Sequence, residues 1–289
     1  MDPTILAQLL VFGLLIGSVY GLVALGMTMI WGVMGVVNVA HGALMAIGMY
    51  AVWYATMESS VNPVLAVPLV ALLLFGLGIA IHRSTIHPFM ETSGFNNLIV
   101  TVAWLLILTA AIQIVFSPAP RRVEFDHGAL EVLGVYLPAG RLFGLAVTVT
   151  TVAAMVVFLE YTHLGRAIRA TADNRTSAKY VGLNVKRVDH LTFGIGAALA
   201  GVAGAVIPFI QRFDPYTGEF YLVIAFVVSV LGGLGSFYGA LLGGVLIGLI
   251  EVFGAFYLPG STNRILIFVV FILVLLFRPR GLGRGVSHD

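Results

Sequence analysis

The chain is 289 residues long, 60% hydrophobic and only 10% charged, with 34 glycines, no cysteine and a net charge of +2. Soluble domains carry about a quarter charged residues, so a soluble fold could not solvate this surface, and the class is a polytopic, all-α membrane protein. The apolar runs are continuous rather than alternating, which excludes a transmembrane β-barrel, and the missing cysteines exclude disulfides and thiolate metal sites.

With about 20 apolar residues per crossing, helices are predicted near 5–30, 36–56, 64–82, 97–117, 141–160, 190–211, 220–236, 238–258 and 260–277. That is about nine crossings, the last ones short and some of them broken or half helices, in a single domain over residues 1–289. The opening MDPTILAQLL lacks the basic region of a signal peptide, and no Lys or Arg precedes Arg83, so the N-terminus is expected outside.

The first 56 residues do not read as two plain spans. Gly26, Gly32 and Gly35, then Asn38, His41 and Gly42, fall where unbroken hydrocarbon is expected. Helix breakers and side-chain amides at membrane depth are tolerated where they face protein or a water-filled cavity, and the discontinuous helices of transporters have this pattern. The segment is either such a break beside a solute path or a cytoplasmic turn with His41 solvated at a helix start. Residues 83–96 read as a short inside loop. Residues 118–140 read as a longer outside loop, in which the alternation of VEF and LEVLGVYL, split by HGA, suggests a small hairpin. Its Arg121, Arg122, Glu124, Asp126 and Glu131 either receive an extracytoplasmic partner or only cap the bundle.

Further on, LGGLGSFYGALLGGVLIGLIE carries Gly232, Gly233, Gly235, Gly239, Gly243, Gly244 and Gly248. Small residues let helix backbones approach closely in lipid, so two short half-crossings around a tight glycine hinge are predicted. Gly244 and Gly248 form a GxxxG. Glu251 is the one acid well inside a predicted span, where an ionisable group is costly and a functional candidate by default. With Phe256, Tyr257 and Pro259 within two turns, it is assigned to the outer interface.

No catalytic constellation is present: no HExxH, GxSxG or P-loop, and no paired intramembrane acids. The histidines (His41, His82, His87, His127, His163, His190 and His288) are scattered, with none paired at metal-ligand spacing. An ion-coupled carrier needs intramembrane charge to use a gradient, and this chain offers little beyond Glu251. Uphill transport would therefore draw its energy from a docked partner.

The docking surface is predicted in the longest polar stretch, GRAIRATADNRTSAKYVGLN at Gly165–Asn184. It holds Arg166, Arg169, Arg175 and Lys179, and Lys186 and Arg187 follow at once. A cationic island between apolar spans lies on the inside face. With this loop inside, ten of the fifteen basic residues are inside and five outside, which orients the N-terminus out and the C-terminus in. Ala167, Ala170, Ala172 and Ala178, closed by Gly182, predict one or two short helices ending at a glycine.

This island resembles the cytoplasmic loop of the permease subunits of branched-chain amino-acid ABC transporters, with the pattern GRA-x-RA-x-A-(D/E)-(D/N), a small or polar run, then apolar-Gly-(I/L)-Asn. GVMGVVNVAHGALMAIGMY, VLGGLGSFYGALLGGVLIGLIE and the tail VLLFRPRGLGRG agree in order and spacing over essentially the whole chain. The resemblance implies a non-enzymatic importer subunit of the bacterial cytoplasmic membrane. Its partners would be a second homologous permease in a heterodimer, two cytoplasmic ATPases, an extracytoplasmic solute-binding protein and membrane lipids, with no nucleic acid. The chain itself would bind no metal or cofactor, since ATP and Mg sit on the ATPase.

By the same similarity the helix around Asn174–Val181 looks like a coupling helix seated in an ATPase cleft. The coupling set is Gly165, Arg166, Arg169, Asp173, Asn174, Arg175, Lys179, Gly182 and Asn184. Arg166, Arg169 and Lys179 would touch the ATPase or, alternatively, anionic headgroups, and Gly182 and Asn184 would close and turn the helix. Thr28, Asn38, His41, Gly42 and Ser229 are assigned to the translocation path. Gly232, Gly233, Gly235, Gly239, Gly244 and Gly248 are assigned to hinge and packing. The implied solute is a branched-chain or related small aliphatic amino acid. Urea, short amides and aromatic acids, handled by other members, stay open, as does an ion-coupled secondary carrier. A membrane-embedded enzyme or a purely structural scaffold fits the sequence less well.

Overall fold

In lipid every backbone polar group must be satisfied within the protein, and this chain does so almost entirely with helices. The computed structural model describes residues 3–90, 94–125, 128–132, 135–258, 262–278 and 281–282. In order these form α1 (Pro3–Met34), α2 (His41–Trp53), α3 (Pro63–Ile81), α4 (Gly94–Phe116), the strands β1 (Ala129–Val132) and β2 (Val135–Pro138), α5 (Ala139–Tyr161), α6 (His163–Asp173), α7 (Arg175–Tyr180), α8 (Val185–Ile210), α9 (Thr217–Gly232), α10 (Phe237–Tyr257) and α11 (Thr262–Phe277). Among the described residues six helices are long and apolar enough to cross a membrane: α1, α3 with its extension to Phe89, α4, α5, α8 and α10. The other three expected crossings coincide with the shorter α2, α9 and α11.

α1 and α8 form the centre. Their most apolar windows are 67% and 83% buried, against 22% for α4 and α5, whose outward faces carry residues such as Ile114, Val115, Val149 and Val157 for the lipid to solvate. α8 packs on α2 and α3. α1 packs chiefly on α10, and that contact is a meeting of glycines: a methyl group at Gly248 would lie 2.3 Å from Gly17 Cα, and one at Gly244 would lie 2.3 Å from Gly21 N. The GxxxG of α10 thus has a partner in Gly13, Gly17 and Gly21 of α1, and backbones this close gain dispersion that larger residues would forfeit.

Three sequence expectations are corrected here. α1 does not break at Gly26 or Gly32, which lie inside the helix against α8 and the α9–α10 junction. The chain breaks only over residues 35–40, with Gly35 at φ +66°. The expected loop at 83–96 begins as helix, because α3 continues through a π-helical turn (His82–Ile86) and a 3₁₀ turn (His87–Phe89). Ser84 and Thr85 donate back to the carbonyls of Ala80 (2.6 Å) and Ile81 (2.7 Å), a bonding pattern that loosens a helix without ending it. The hairpin is there, but it pairs Ala129–Val132 with Val135–Pro138 instead of using VEF. Val123 N–H donates to the Pro208 carbonyl at 3.1 Å, and Arg121 pairs with Phe213 in both directions (2.8 and 2.9 Å). The VEF segment therefore satisfies the frayed end of α8. Asp126, His127, Pro259, Arg280, Arg284 and His288, the side chain of Arg264 and part of the tail motif lie outside the described residues.

Candidate functional site

The polar island folds into a compact two-helix unit between α5 and α8. Thr162 caps α6 by accepting from Gly165 N at 2.9 Å and donates to the Phe158 carbonyl at 2.7 Å. Gly165 is buried in this turn, where a methyl group would lie 2.2 Å from the Phe158 oxygen. α6 turns Ile168 and Thr171 inward and leaves Arg166 and Arg169 exposed. Arg169 is ion-paired with Glu160, and an Arg166 N–H donates to His163 Nδ1 at 2.9 Å. Asn174 then caps α7 by accepting from Ser177 N at 2.8 Å, with Asp173 exposed beside it.

α7 ends in a Schellman closure: Leu183 N–H bonds to the Ala178 carbonyl at 3.1 Å, with Gly182 at φ +84°. Asn184 does not close α7. It caps α8 instead, accepting from Arg187 N at 3.0 Å. Arg175 points into the protein, not outward. Its two terminal nitrogens grip both oxygens of Asp189 on α8, at 2.9 and 2.5 Å, and one also donates to the Val33 carbonyl on α1 at 3.3 Å. Asp189 is fully buried. The outward tip of α7 carries Lys179 together with two apolar side chains, Tyr180 (86% exposed) and Val181 (76%). Sequence reasoning named the cations and passed over this Tyr-Val pair, whose signal was an apolar doublet inside a polar island. It also passed over Asp189, an acid in the second turn of an apolar span.

Beside this unit a cavity of about 180 Å³ lies between α1, α5, α6 and the start of α10, walled by Met29, Leu159, Ile168 and Phe237. Thr28 lines it, with a buried hydroxyl that has no hydrogen-bond partner among the described residues. The other four path candidates sit in helix contacts. His41 Nε2 donates to the Val23 carbonyl at 3.0 Å, Ser229 donates to the Ala24 carbonyl at 3.3 Å, and Gly42 packs so closely on α9 that a methyl group would lie 2.6 Å from the Gly218 oxygen. Asn38 is fully buried, with no partner for either amide atom among the described residues.

The glycines of the α9–α10 junction are placed by backbone demands. Gly233 and Gly235 take φ +93° and +84°, and a methyl group at Gly239 would lie 1.9 Å from the Gly232 oxygen. Ser236 caps α10 through Gly239 N at 3.1 Å. Leu282 N–H donates to the Leu231 carbonyl at 2.8 Å, so the chain beyond α11 returns to this junction. Two further pairings join residues far apart in sequence. Tyr20 donates its hydroxyl to Glu251, tying α1 to α10. The histidines are not all scattered: the Nδ1 atoms of His82 and His190 lie 2.7 Å apart, and the His87 ring centroid is 5.1 Å from that of His190. Among the described residues, however, no three potential ligands are arranged to hold a metal ion.

An apolar bundle with a short, doubly capped helix bolted to its two most buried spans has the form of a membrane permease subunit. A family model described as "Branched-chain amino acid transport system / permease component" matches residues 9–275, and the chain belongs to that family. It is 33% identical to the high-affinity branched-chain amino acid transport system permease protein BraD of Pseudomonas aeruginosa, over 96% of this chain and 95% of BraD. The corresponding LivH of Escherichia coli K12 is 32% identical over 94% of each chain. Among solved structures, PsaBC from Streptococcus pneumoniae in complex with Fab shares the fold at a TM-score of 0.55 and 13% identity, covering 94% of this chain and 93% of its own.

Proposed function

We propose that this chain is the permease subunit of an ATP-binding-cassette importer for branched-chain or related small aliphatic amino acids. It works with a second homologous permease, two cytoplasmic ATPases that hold ATP and Mg, and an extracytoplasmic binding protein. In the bacterial cytoplasmic membrane its N-terminus is outside and its C-terminus inside. BraD and LivH are named for branched-chain amino acid transport, which supports the solute class.

The observation that carries the reading is α7. An exposed Tyr180–Val181 tip, unprofitable in water, sits on a helix whose other side is clamped by Arg175 to α8 and α1. Such a helix takes a push from a docked ATPase and passes it to the two central spans. The glycine junction between α9 and α10 then absorbs the change in helix angle while the permease halves rock between outward and inward access. Thr28 faces the solute from the inner cavity. His41, Gly42 and Ser229 hold the α1–α2–α9 contact beside it, and Asn38 lies buried in the break between α1 and α2.

The test is co-purification and reconstitution of the chain with its genomic neighbours. The expected result is a complex with a soluble ATPase and a second polytopic subunit, importing leucine only with ATP. Lys179→Glu combined with Tyr180→Asp is expected to release the ATPase and leave the permease inserted. A chain that runs alone and transports on an ion gradient without ATP would overturn the reading.

A further inference from the structure

A second cavity, of about 130 Å³, opens at the end of the bundle opposite α7. It lies where α5 begins and α8 ends, against residues 16–20 of α1 and the second half of α10. One water needs about 10–15 Å³ on this measure, so the space admits a small organic solute.

Its walls divide by chemistry. Arg141 brings a guanidinium whose Cζ lies over the Phe12 ring, 4.2 Å from its centroid, and it forms no ion pair among the described residues. Glu251 brings a carboxylate oriented by the Tyr20 hydroxyl. Gln211 donates its amide to the Tyr221 oxygen at 3.1 Å, and the rings of Tyr20 and Tyr221 meet edge to face with centroids 6.0 Å apart. The remaining wall is aliphatic, from Ile16, Val19, Ile207 and Ile210.

A guanidinium that lines such a cavity without an ion pair among the described residues forgoes a large Coulomb gain in a low-dielectric setting. A ligand that carries both signs on one carbon recovers it. Arg is the side chain suited to grip a carboxylate through two parallel hydrogen bonds. We propose that this cavity is a zwitterion subsite for aliphatic α-amino acids: Arg141 takes the carboxylate, Glu251 the ammonium, and the Ile16, Val19, Ile207 and Ile210 wall the branched side chain. This rests on the amino-acid permease reading and adds where, within this chain, the solute is held after delivery. Arg141 and Glu251 stand on α5 and α10, with α1 packed against both, so a solute bridging them senses the relative position of these helices.

The test is equilibrium binding of radiolabelled L-leucine to the purified complex without binding protein. Leucinamide, which lacks the carboxylate, and 4-methylpentanoate, which lacks the ammonium, serve as competitors. Arg141→Gln is expected to weaken leucine about tenfold to a hundredfold, the cost of a lost charge-assisted contact, and to leave leucinamide unchanged. Glu251→Gln, which retains an oxygen for the Tyr20 hydroxyl, is expected to weaken leucine similarly and to leave 4-methylpentanoate unchanged. Equal losses for all three compounds would reduce these residues to scaffolding and overturn the proposal. Wild-type affinity in both variants, with ATP-driven leucine uptake intact, would overturn the subsite and leave the permease reading standing. A wild-type complex that imports no amino acid would overturn the permease reading itself.

Discussion

Replacing Arg175 with methionine removes the bolt between α7 and the central spans while keeping much of the side-chain volume. Asp189 is fully buried and accepts from Arg175 at 2.9 and 2.5 Å. Removing one partner of a buried ion pair costs about 3–5 kcal/mol, because the other charge is left uncompensated. The Arg175 side chain is 37% exposed, so water can reach the vacated side, and the low end, about 3 kcal/mol, is expected. Asp189→Asn keeps one accepting oxygen and is expected to cost about 2 kcal/mol, the worth of a charged hydrogen bond. The double variant Arg175→Met/Asp189→Leu leaves no orphaned charge and is expected within about 1 kcal/mol of wild type.

Stability is read by SDS-induced unfolding in mixed micelles, and function by ATP-driven uptake with ATPase association measured alongside. The double variant should regain stability yet still transport poorly, because an apolar contact lacks the directional grip that transmits a push. Costs of Arg175→Met and Asp189→Leu, each measured alone, that simply add in the double would show that the pair has no interaction energy. Wild-type uptake by the double variant would refute the transmission argument.

Two glycine-to-alanine changes, one at the α1–α10 contact and one on α3, are expected to act in opposite directions. Gly248→Ala, with its methyl 2.3 Å from Gly17 Cα, is expected to destabilise by about 1–3 kcal/mol in the same unfolding assay. Gly76→Ala, with no atom within 4 Å of the new methyl, is expected to be neutral or to stabilise by about 0.5 kcal/mol. Ser236→Ala removes the α10 cap and should cost about 1 kcal/mol by the same measurement, since the Gly239 N–H loses its partner. Tyr180→Asp or Val181→Asp should leave unfolding midpoints unchanged, because both side chains are exposed, and should weaken ATPase retention on an affinity column.

Much of the architecture was legible because lipid imposes length and apolarity on a span, and six expected spans match helices of sufficient length. The capped short helices were legible from Ala, Asn and Gly positions, whose preferences act within one turn. What escaped was pairing over long separations. The GxxxG of α10 was visible, but its partners Gly13, Gly17 and Gly21 lie over 200 positions away in an equally apolar helix. Arg175 looked like one more surface cation because its acceptor, Asp189, lies beyond two caps and a turn. Glu251 was assigned to the interface from Phe256, Tyr257 and Pro259, and nothing local marks Tyr20 as its donor.

These missed pairings converge on α1. Near its middle Tyr20 holds Glu251, between Gly13 and Gly21 its backbone lies against α10, and near its end the Val33 carbonyl accepts from Arg175. Tyr20 and Val33 are thirteen residues apart on one unbroken helix, about 20 Å at 1.5 Å per residue. A helix moves as a rod over that distance, because bending it would stretch several backbone hydrogen bonds at once. The glycine contact holds it against α10, where Leu249 and Leu241 pack on Gly13 and Gly21. A push on α7 that reaches Val33 therefore arrives at Tyr20 as a displacement of the carboxylate it holds. If a docked partner pushes on α7, α1 with its two polar contacts at Tyr20 and Val33 is one continuous element that joins the two ends of the bundle.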